Sequence, residues 1–181
     1  VLLYTLFLKE SNKHFVYYII QLSLIFILFF LLFLSTVTSN SNFFNFFFIT
    51  DTYSNLLKII VIFFLLFTFL YTKSFVKVND IKIGEYYALS LFSALGMLLL
   101  VSSNNLLIFY LSIELISIPL YVLIAMVDTY ETSSESSIKY FVLGSLASSI
   151  LLFGISLVYG STGIINFNDV QNLFLSGSSV F

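Results

Sequence analysis

Long apolar stretches with few or no charged residues alternate along the chain with short polar connections. Five are long enough to set the architecture: 15–38 (FVYYIIQLSLIFILFFLLFLSTVT), 54–72 (SNLLKIIVIFFLLFTFLYT), 85–101, 105–127 and 134–160. A helix rises about 1.5 Å per residue, so about 20 apolar residues cross the hydrocarbon of a bilayer. Each stretch therefore predicts a spanning helix, because an open sheet edge cannot exist in lipid. The expected fold is all-α, a single membrane domain over residues 1–181 built as a polytopic transmembrane helix bundle of about five spanning helices, with a polar tail over 161–181. Two shorter pieces read differently. Residues 1–8 (VLLYTLFL) reach only about 12 Å at helical rise and read as the end of a further helix. Residues 43–49 (FFNFFFI), between polar 38–42 and Asp51, predict an aromatic anchor lying flat at the interface, while Tyr17 and Tyr18 predict an interfacial belt. The first apolar run is too long for a signal-peptide core and lacks a small-residue cleavage site.

Composition narrows the partners and the chemistry. Of 181 residues 60% are hydrophobic and 9% charged, where a soluble domain carries about 25% charge; the mean hydropathy is +1.08. Membrane lipid and other apolar helices are the expected partners. The absence of cysteine excludes disulfides, thiolate zinc sites and iron–sulfur ligation by this chain. A single histidine excludes a bis-imidazole haem and any His-rich metal site. No cofactor is expected to be bound by this chain, and any redox chemistry it serves is carried elsewhere. All seven basic residues are lysine and the net charge is −2, so there is neither a basic field for nucleic acid nor an arginine fork for phosphate. With 23 Phe, 12 Tyr, no Trp and one Pro, the usage points to an A- and T-rich codon pool and to an organelle-encoded protein.

Five crossings put the N-terminus, the loop at 73–84 and the loop at 128–134 on one side. That side holds Lys9, Lys13, Lys73, Lys77 and Lys82, and the other holds only Lys58, just inside a helix. The positive-inside rule then turns the N-terminus toward the cytoplasm, or the matrix of a mitochondrion, and the tail to the opposite compartment. Asp128, Glu131 and Glu135 dilute the basic side but weigh little in this rule.

Two ionisable groups stand out within the spans. Glu114 is the tenth residue of the fourth, about 14 Å from its start and near the bilayer centre. A charge at that depth costs about 2.5 to 3.5 kcal/mol, so the group needs a partner or its proton. Tyr110, Ser117 and Tyr121 stand at i−4, i+3 and i+7 and share its stripe. Pro119 is the only proline; it removes the amide that would have bonded the carbonyl of Leu115, and a freed carbonyl beside a carboxyl can hold water or a protonated side chain. One reading makes Glu114 part of a transport path; the other has a protonated Glu114 bonded to a neighbouring helix, with Pro119 only bending its own. Lys139 lies about a turn into the fifth span with Glu135 at i−4. Here too a transport role stands beside a simpler one, in which Lys139 snorkels to the interface and Thr132 with Glu135 forms a capping box.

The other polar features have structural readings. Gly144 with Ser148, Ser145 with Ser149, and Ala147 predict a seam for close helix packing. His14 reads as a headgroup or water contact, Lys58 near Asp51 as an anchor that can also snorkel to a partner within the bundle, and Asp169 as solvated. The run TSSESS has no base beside it, so serine catalysis is not supported, and no glycine-rich phosphate loop appears.

The stretch GEYYALSLFSALGMLLLVSSNNLLIFYLSIELISIPLYVLIA, followed by ESSIKYFVLGSLASSILLFGISLVYGSTGIINF, resembles subunit 2 of respiratory complex I, the proton-translocating NADH:ubiquinone oxidoreductase, in the N-terminal part of that antiporter-like subunit. The resemblance is strongest over 84–167 and rests on the buried acid, the proline five residues later and the SIKYF block. It implies that Glu114 matches the family's buried acid in the ELxSxPLY segment, part of a proton relay, and that Lys139 matches the lysine of the SIKY block lining the same polar interior. It also implies a mitochondrial inner-membrane protein with its N-terminus toward the matrix. Its partners would be the other membrane subunits of a complex that uses NADH, FMN, iron–sulfur clusters and ubiquinone. Family members continue into up to fourteen helices, with essential lysines beyond the matched part. The expectation is therefore a split subunit, completed by a second chain that supplies those lysines. A structural or assembly scaffold and a subunit of a cation/proton antiporter are the alternatives.

Overall fold

A computed structural model describes residues 13–37, 41–43, 47–79, 81–126 and 131–176. Residues 1–8 and the side chain of His14 lie outside the described set. The elements run α1 (Lys13–Val37), β1 (Ser41–Phe43), β2 (Phe48–Thr50), α2 (Thr52–Val78), α3 (Ile83–Ser102), α4 (Leu106–Ala125), α5 (Glu131–Thr162) and α6 (Phe167–Ser176). The five long helices α1 to α5 each carry a span long and apolar enough to cross a membrane. The fold is thus the expected polytopic helix bundle, with α6 lying within the polar tail.

Each helix packs chiefly against its chain neighbours, α1 on α2, α2 on α3, α3 on α4 and α4 on α5, as short connections between antiparallel helices require. The tightest core joins the first three: Val16, Tyr17, Ile20 and Leu24 of α1 close on Ile62 and Phe69 of α2 and on Tyr87 of α3. Tyr87 is its hub, with ring centroids 4.9 Å from Phe69 and 6.0 Å from Tyr17. Tyr17 is therefore a core residue, only 6% exposed, and not part of an interfacial belt. Tyr18 stays outside, where its hydroxyl accepts a hydrogen bond from Lys73 Nζ at 3.2 Å. The same ammonium lies 4.5 and 4.8 Å from the ring centres of Tyr17 and Tyr18, a cation–π clasp tying the start of α1 to the end of α2.

Lys73 and Lys77 differ from expectation in another respect. They lie on α2, which runs on to Val78, and the connection to α3 is confined to 79–82. Lysine stems can cover apolar surface while their ammonium groups stay in water, so a helix need not stop where lysines begin. The α2 start is also better defined than its sequence suggested. Asp51 and Ser54 form a reciprocal cap, in which the Asp51 amide donates to Ser54 Oγ at 2.9 Å.

The two ends of the aromatic run at 43–49 pair in an antiparallel hairpin, with Ser41 opposite Thr50 and Phe43 opposite Phe48. Its second strand leans on the α3–α4 connection through a bridge between Phe48 and Ser103 and a bond from the Asn104 amide to the Phe47 carbonyl, 2.9 Å. The stretch after α5 meets the same connection. The Leu106 amide donates to the Ile165 carbonyl and the Phe167 amide to the Asn104 carbonyl, at 2.9 and 3.0 Å. Asn105 completes the joint: its Oδ1 caps α4 by accepting from the Leu107 amide, and its Nδ2 donates to Asn166 Oδ1. The hairpin, the α3–α4 connection and the segment after α5 thus meet at one end of the bundle, while Tyr18 and Lys73 meet at the other. That is the alternation five antiparallel crossings require.

Candidate functional site

Helix α4 is held from two sides. Against α3 it makes a backbone-close contact: a methyl group placed on Gly96 would come 2.8 Å from Ile116 Cγ1, 2.9 Å from the Ile116 amide nitrogen and 3.0 Å from the Ser112 carbonyl oxygen. Ser112 and Pro119 are buried on this side, so the single proline is packed into the α3 interface. Ser112 and Ser117 turn their hydroxyls back to the carbonyls of Ile108 and Ile113, both at 2.7 Å, as hydroxyls in an apolar span are expected to do.

The opposite side of α4 carries Tyr110, Glu114, Ser117 and Tyr121, all half-buried, and Tyr121 marks where this stripe meets α5. Its ring lies over Gly144 and makes edge contacts with Tyr140 and Phe141, each with centroids 5.8 Å apart. Two serines of α5 reach across to carbonyls of α4, Ser137 Oγ to Tyr121 at 2.9 Å and Ser133 Oγ to Ile124 at 2.5 Å. Seven residues back along α4 from Tyr121, about 10 Å, stands Glu114. Its Oε1 is buried and has no hydrogen-bond partner among the described residues. A carboxyl oxygen without a partner inside a helix bundle is costly and is found where a proton, water or cation is to be exchanged.

Lys139 is not brought to Glu114. Two residues past Ser137, it lies on the side of α5 turned away from α4, where its Nζ binds Glu135 Oε1 at 2.5 Å with both side chains about two-thirds exposed. Glu135 is therefore engaged with Lys139, and Thr132 lies inside the first turn of α5 with its carbonyl accepting from Ser136 Oγ, so the expected capping box does not form. Of the small residues, Gly144 faces α4, whereas Ala147 and Ser149 are exposed. Lys58 is half-buried on α2, and Asp169 is exposed on α6 and accepts from Asn166 Nδ2 at 3.0 Å. Ser133, Ser137 and the seat of Tyr121 on Gly144 escaped sequence reasoning. Their signal was the spacing 133, 137, 144, 148, which keeps hydroxyls and a glycine on one helix face.

The fold and this site define a multi-pass membrane helix bundle with a buried carboxyl oxygen on one spanning helix that has no partner among the described residues. Residues 103–180, which contain both helices, match the family described as NADH:quinone oxidoreductase/Mrp antiporter, TM. Over 178 residues, 98% of the chain, it is 38% identical to "NADH-quinone oxidoreductase subunit N" of Methylovorus glucosotrophus, and over 127 residues, 70% of the chain, 44% identical to the protein of that name from Neisseria gonorrhoeae. Among solved structures it is similar to a chain of respiratory complex I from Thermus thermophilus with bound aureothin, at a TM-score of 0.69 and 30% identity over 85% of this chain and 33% of that one. The chain is similar to these subunit N proteins over almost all of its own length, and its helix bundle is similar in fold to that chain of complex I. It spans 37% and 26% of the lengths of the two curated relatives named.

Proposed function

We propose that this chain forms part of the membrane arm of a proton-pumping NADH:quinone oxidoreductase, and that Glu114 is a proton-relay group within it. The observation that carries this reading is the buried, unpartnered Oε1 of Glu114 on the α5-facing side of α4, inside the stretch that matches the family. Approach of an ammonium group favours the carboxylate, and its withdrawal leaves the apolar surroundings to favour the protonated acid. A group switched in this way takes up and releases a proton without itself moving electrons. Carrying one charge across the membrane costs about 2.3 kcal/mol per 100 mV, which NADH oxidation elsewhere in the complex supplies. In this reading NADH, FMN, the iron–sulfur clusters and ubiquinone are held by other subunits.

Lys139 is the second relay group of the proposal. On the outer side of α5 it is placed for further helices, docked on the exposed residues Leu143, Leu146 and Ile150, and Glu135 holds its ammonium until they supply another partner. Those helices, with the lysines that approach Glu114, belong to the part of the membrane arm that surrounds this chain. The lysine-rich end of the bundle and a composition rich in Phe and Tyr, without Arg or Trp, support a mitochondrial inner-membrane protein with its N-terminus in the matrix. The Mrp half of the family description supports an antiporter subunit as the second reading.

Glu114→Gln in the assembled membrane complex tests the proposal. The expected result is loss of proton transport coupled to NADH oxidation with assembly intact. Unchanged pumping removes Glu114 from the relay, and proton exchange for a cation without NADH oxidation selects the antiporter reading.

A further inference from the structure

The buried Oε1 of Glu114 has no partner among the described residues, and the hydroxyls of its own helix are engaged or turned elsewhere. Ser117 is held to the carbonyl of Ile113 at 2.7 Å. The Tyr121 hydroxyl is seated over Gly144. The Tyr110 phenol leans toward the start of α4, away from Glu114, because helical side chains point back to the N-terminus. Within this chain that leaves α5, whose α4-facing side carries hydroxyls at helical spacing. Ser133 and Ser137 cross to the carbonyls of Ile124 and Tyr121, Gly144 receives the Tyr121 ring, and half-buried Ser148, four residues on, continues the same face.

The two crossing bonds set the register of this antiparallel pair. Ser148 lies eleven residues beyond Ser137, and eleven residues before Tyr121 stands Tyr110, so Ser148 is level with Tyr110, one turn or about 6 Å from Glu114 along the axis. Both side chains lean into that gap, since each points toward the N-terminus of its own helix and the helices run in opposite directions. Ser148 is also loosely held. Its Oγ lies 3.1 Å from the Ser145 carbonyl oxygen, which accepts from Ser149 Oγ at 2.7 Å as well, so turning the Ser148 hydroxyl away leaves that carbonyl served. We propose that Ser148 is the hydrogen-bond partner of Glu114 within this chain, its hydroxyl turning from the Ser145 carbonyl to the Glu114 carboxyl. A hydroxyl suits both states of the acid: it donates to the carboxylate and accepts from the protonated group. Ser148 takes up no proton itself; it is a positioning residue that holds the carboxyl in the α4–α5 gap. The inference rests on the reading of Glu114 as a relay group and names what that group bonds to between exchanges.

The test is infrared difference spectroscopy of the assembled membrane complex, in which the Glu114 carboxyl bands are those that Glu114→Gln removes, together with proton transport coupled to NADH oxidation. The expected result is that Ser148→Ala shifts those bands, the acid C=O stretch moving toward that of a free carboxyl, and lowers coupled transport about tenfold or more, the loss due to one hydrogen bond to a charged group. Ser148→Thr keeps the hydroxyl and should restore both. Ser149→Ala removes the exposed hydroxyl on the same Ser145 carbonyl and should change neither. Unshifted bands in Ser148→Ala overturn the proposal. An equal shift in Ser149→Ala overturns it too, by tracing the effect to the α5 backbone. Pumping that survives Glu114→Gln defeats the relay reading, while the band shift still decides whether the two side chains pair. Pumping lost in Glu114→Gln, with bands and transport untouched in Ser148→Ala, defeats the pairing alone.

Discussion

The ring of Tyr121 is seated on Gly144, with no room between them for a side chain. This contact limits how closely α4 and α5 approach, two turns along α4 from Glu114. A methyl group at Gly144 would come 2.7 Å from Tyr121 Cζ, so Gly144→Ala must push the ring aside. Overpacking of this kind costs about 1 to 3 kcal/mol. The expected outcome is a lower thermal midpoint of the solubilised complex and weaker coupled pumping, both partly restored by Tyr121→Leu in the same chain. A double variant no better than Gly144→Ala alone would show that the ring is not what the methyl meets.

Gly96 and Gly154 should behave in opposite ways. At Gly96 the obstructing atoms include the Ile116 amide and the Ser112 carbonyl, which cannot rotate away, so Gly96→Ala should destabilise by about 1 to 3 kcal/mol. Among the described residues no atom of another element lies within 4 Å of a methyl group placed on Gly154, and alanine is favoured over glycine in a helix by about 1 kcal/mol. Gly154→Ala should therefore be neutral or stabilising in this chain. A loss of assembly in the complex would place another helix against that face of α5.

Asn105 does two jobs at the head of α4, capping the helix and bonding Asn166. Asn105→Ala removes both and should cost about 0.5 to 2 kcal/mol for the cap alone. Asn105→Ser keeps a cap acceptor and loses the donation to Asn166. Denaturation midpoints should therefore rank the native chain first, serine second and alanine last.

The Lys73 clasp should require a cation and little more. Lys73→Met should lower stability by about 0.5 to 1 kcal/mol and Lys73→Arg should preserve it. Equal effects of the two substitutions would mean that the lysine stem, and not its charge, holds α1 to α2.

Because the chain contains no cysteine, topology can be read with single introduced thiols. Asn79→Cys and Ser161→Cys lie at opposite ends of the bundle. A membrane-impermeant maleimide should label them from opposite sides, with Asn79 on the side holding the lysines. Labelling of both from one side would break the five-crossing alternation.

The spans were legible because hydrocarbon imposes one rule on the whole chain, and a long run of apolar residues can satisfy it only as a helix. Glu114 was legible for the converse reason: a carboxyl among Leu and Ile at mid-helix has no interfacial explanation. The hairpin was not. FFNFFFI has neither strand alternation nor a recognisable turn pair, and its second strand is set by Phe47 and Phe48 meeting Ser103 and Asn104, residues more than fifty positions away. Tyr17 and Tyr18 show the same limit. They are identical neighbours in sequence, but a helix turns 100° between them, so one enters the core with Tyr87 and the other greets Lys73. The side of α5 on which Lys139 falls follows from the Ser133, Ser137 and Gly144 seam, of which Gly144 with Ser148 was read as a packing face but the two serines before it were not.

The joint at Asn104 and Asn105 also sets an order of events during synthesis. The α3–α4 connection emerges with backbone groups whose partners, Ile165 to Phe167, have yet to be translated and carried through the bilayer with α5. Until that fifth crossing is made, the head of α4 lacks the bonds from Ile165 to Phe167 and from Asn166 that tie it to the end of α5.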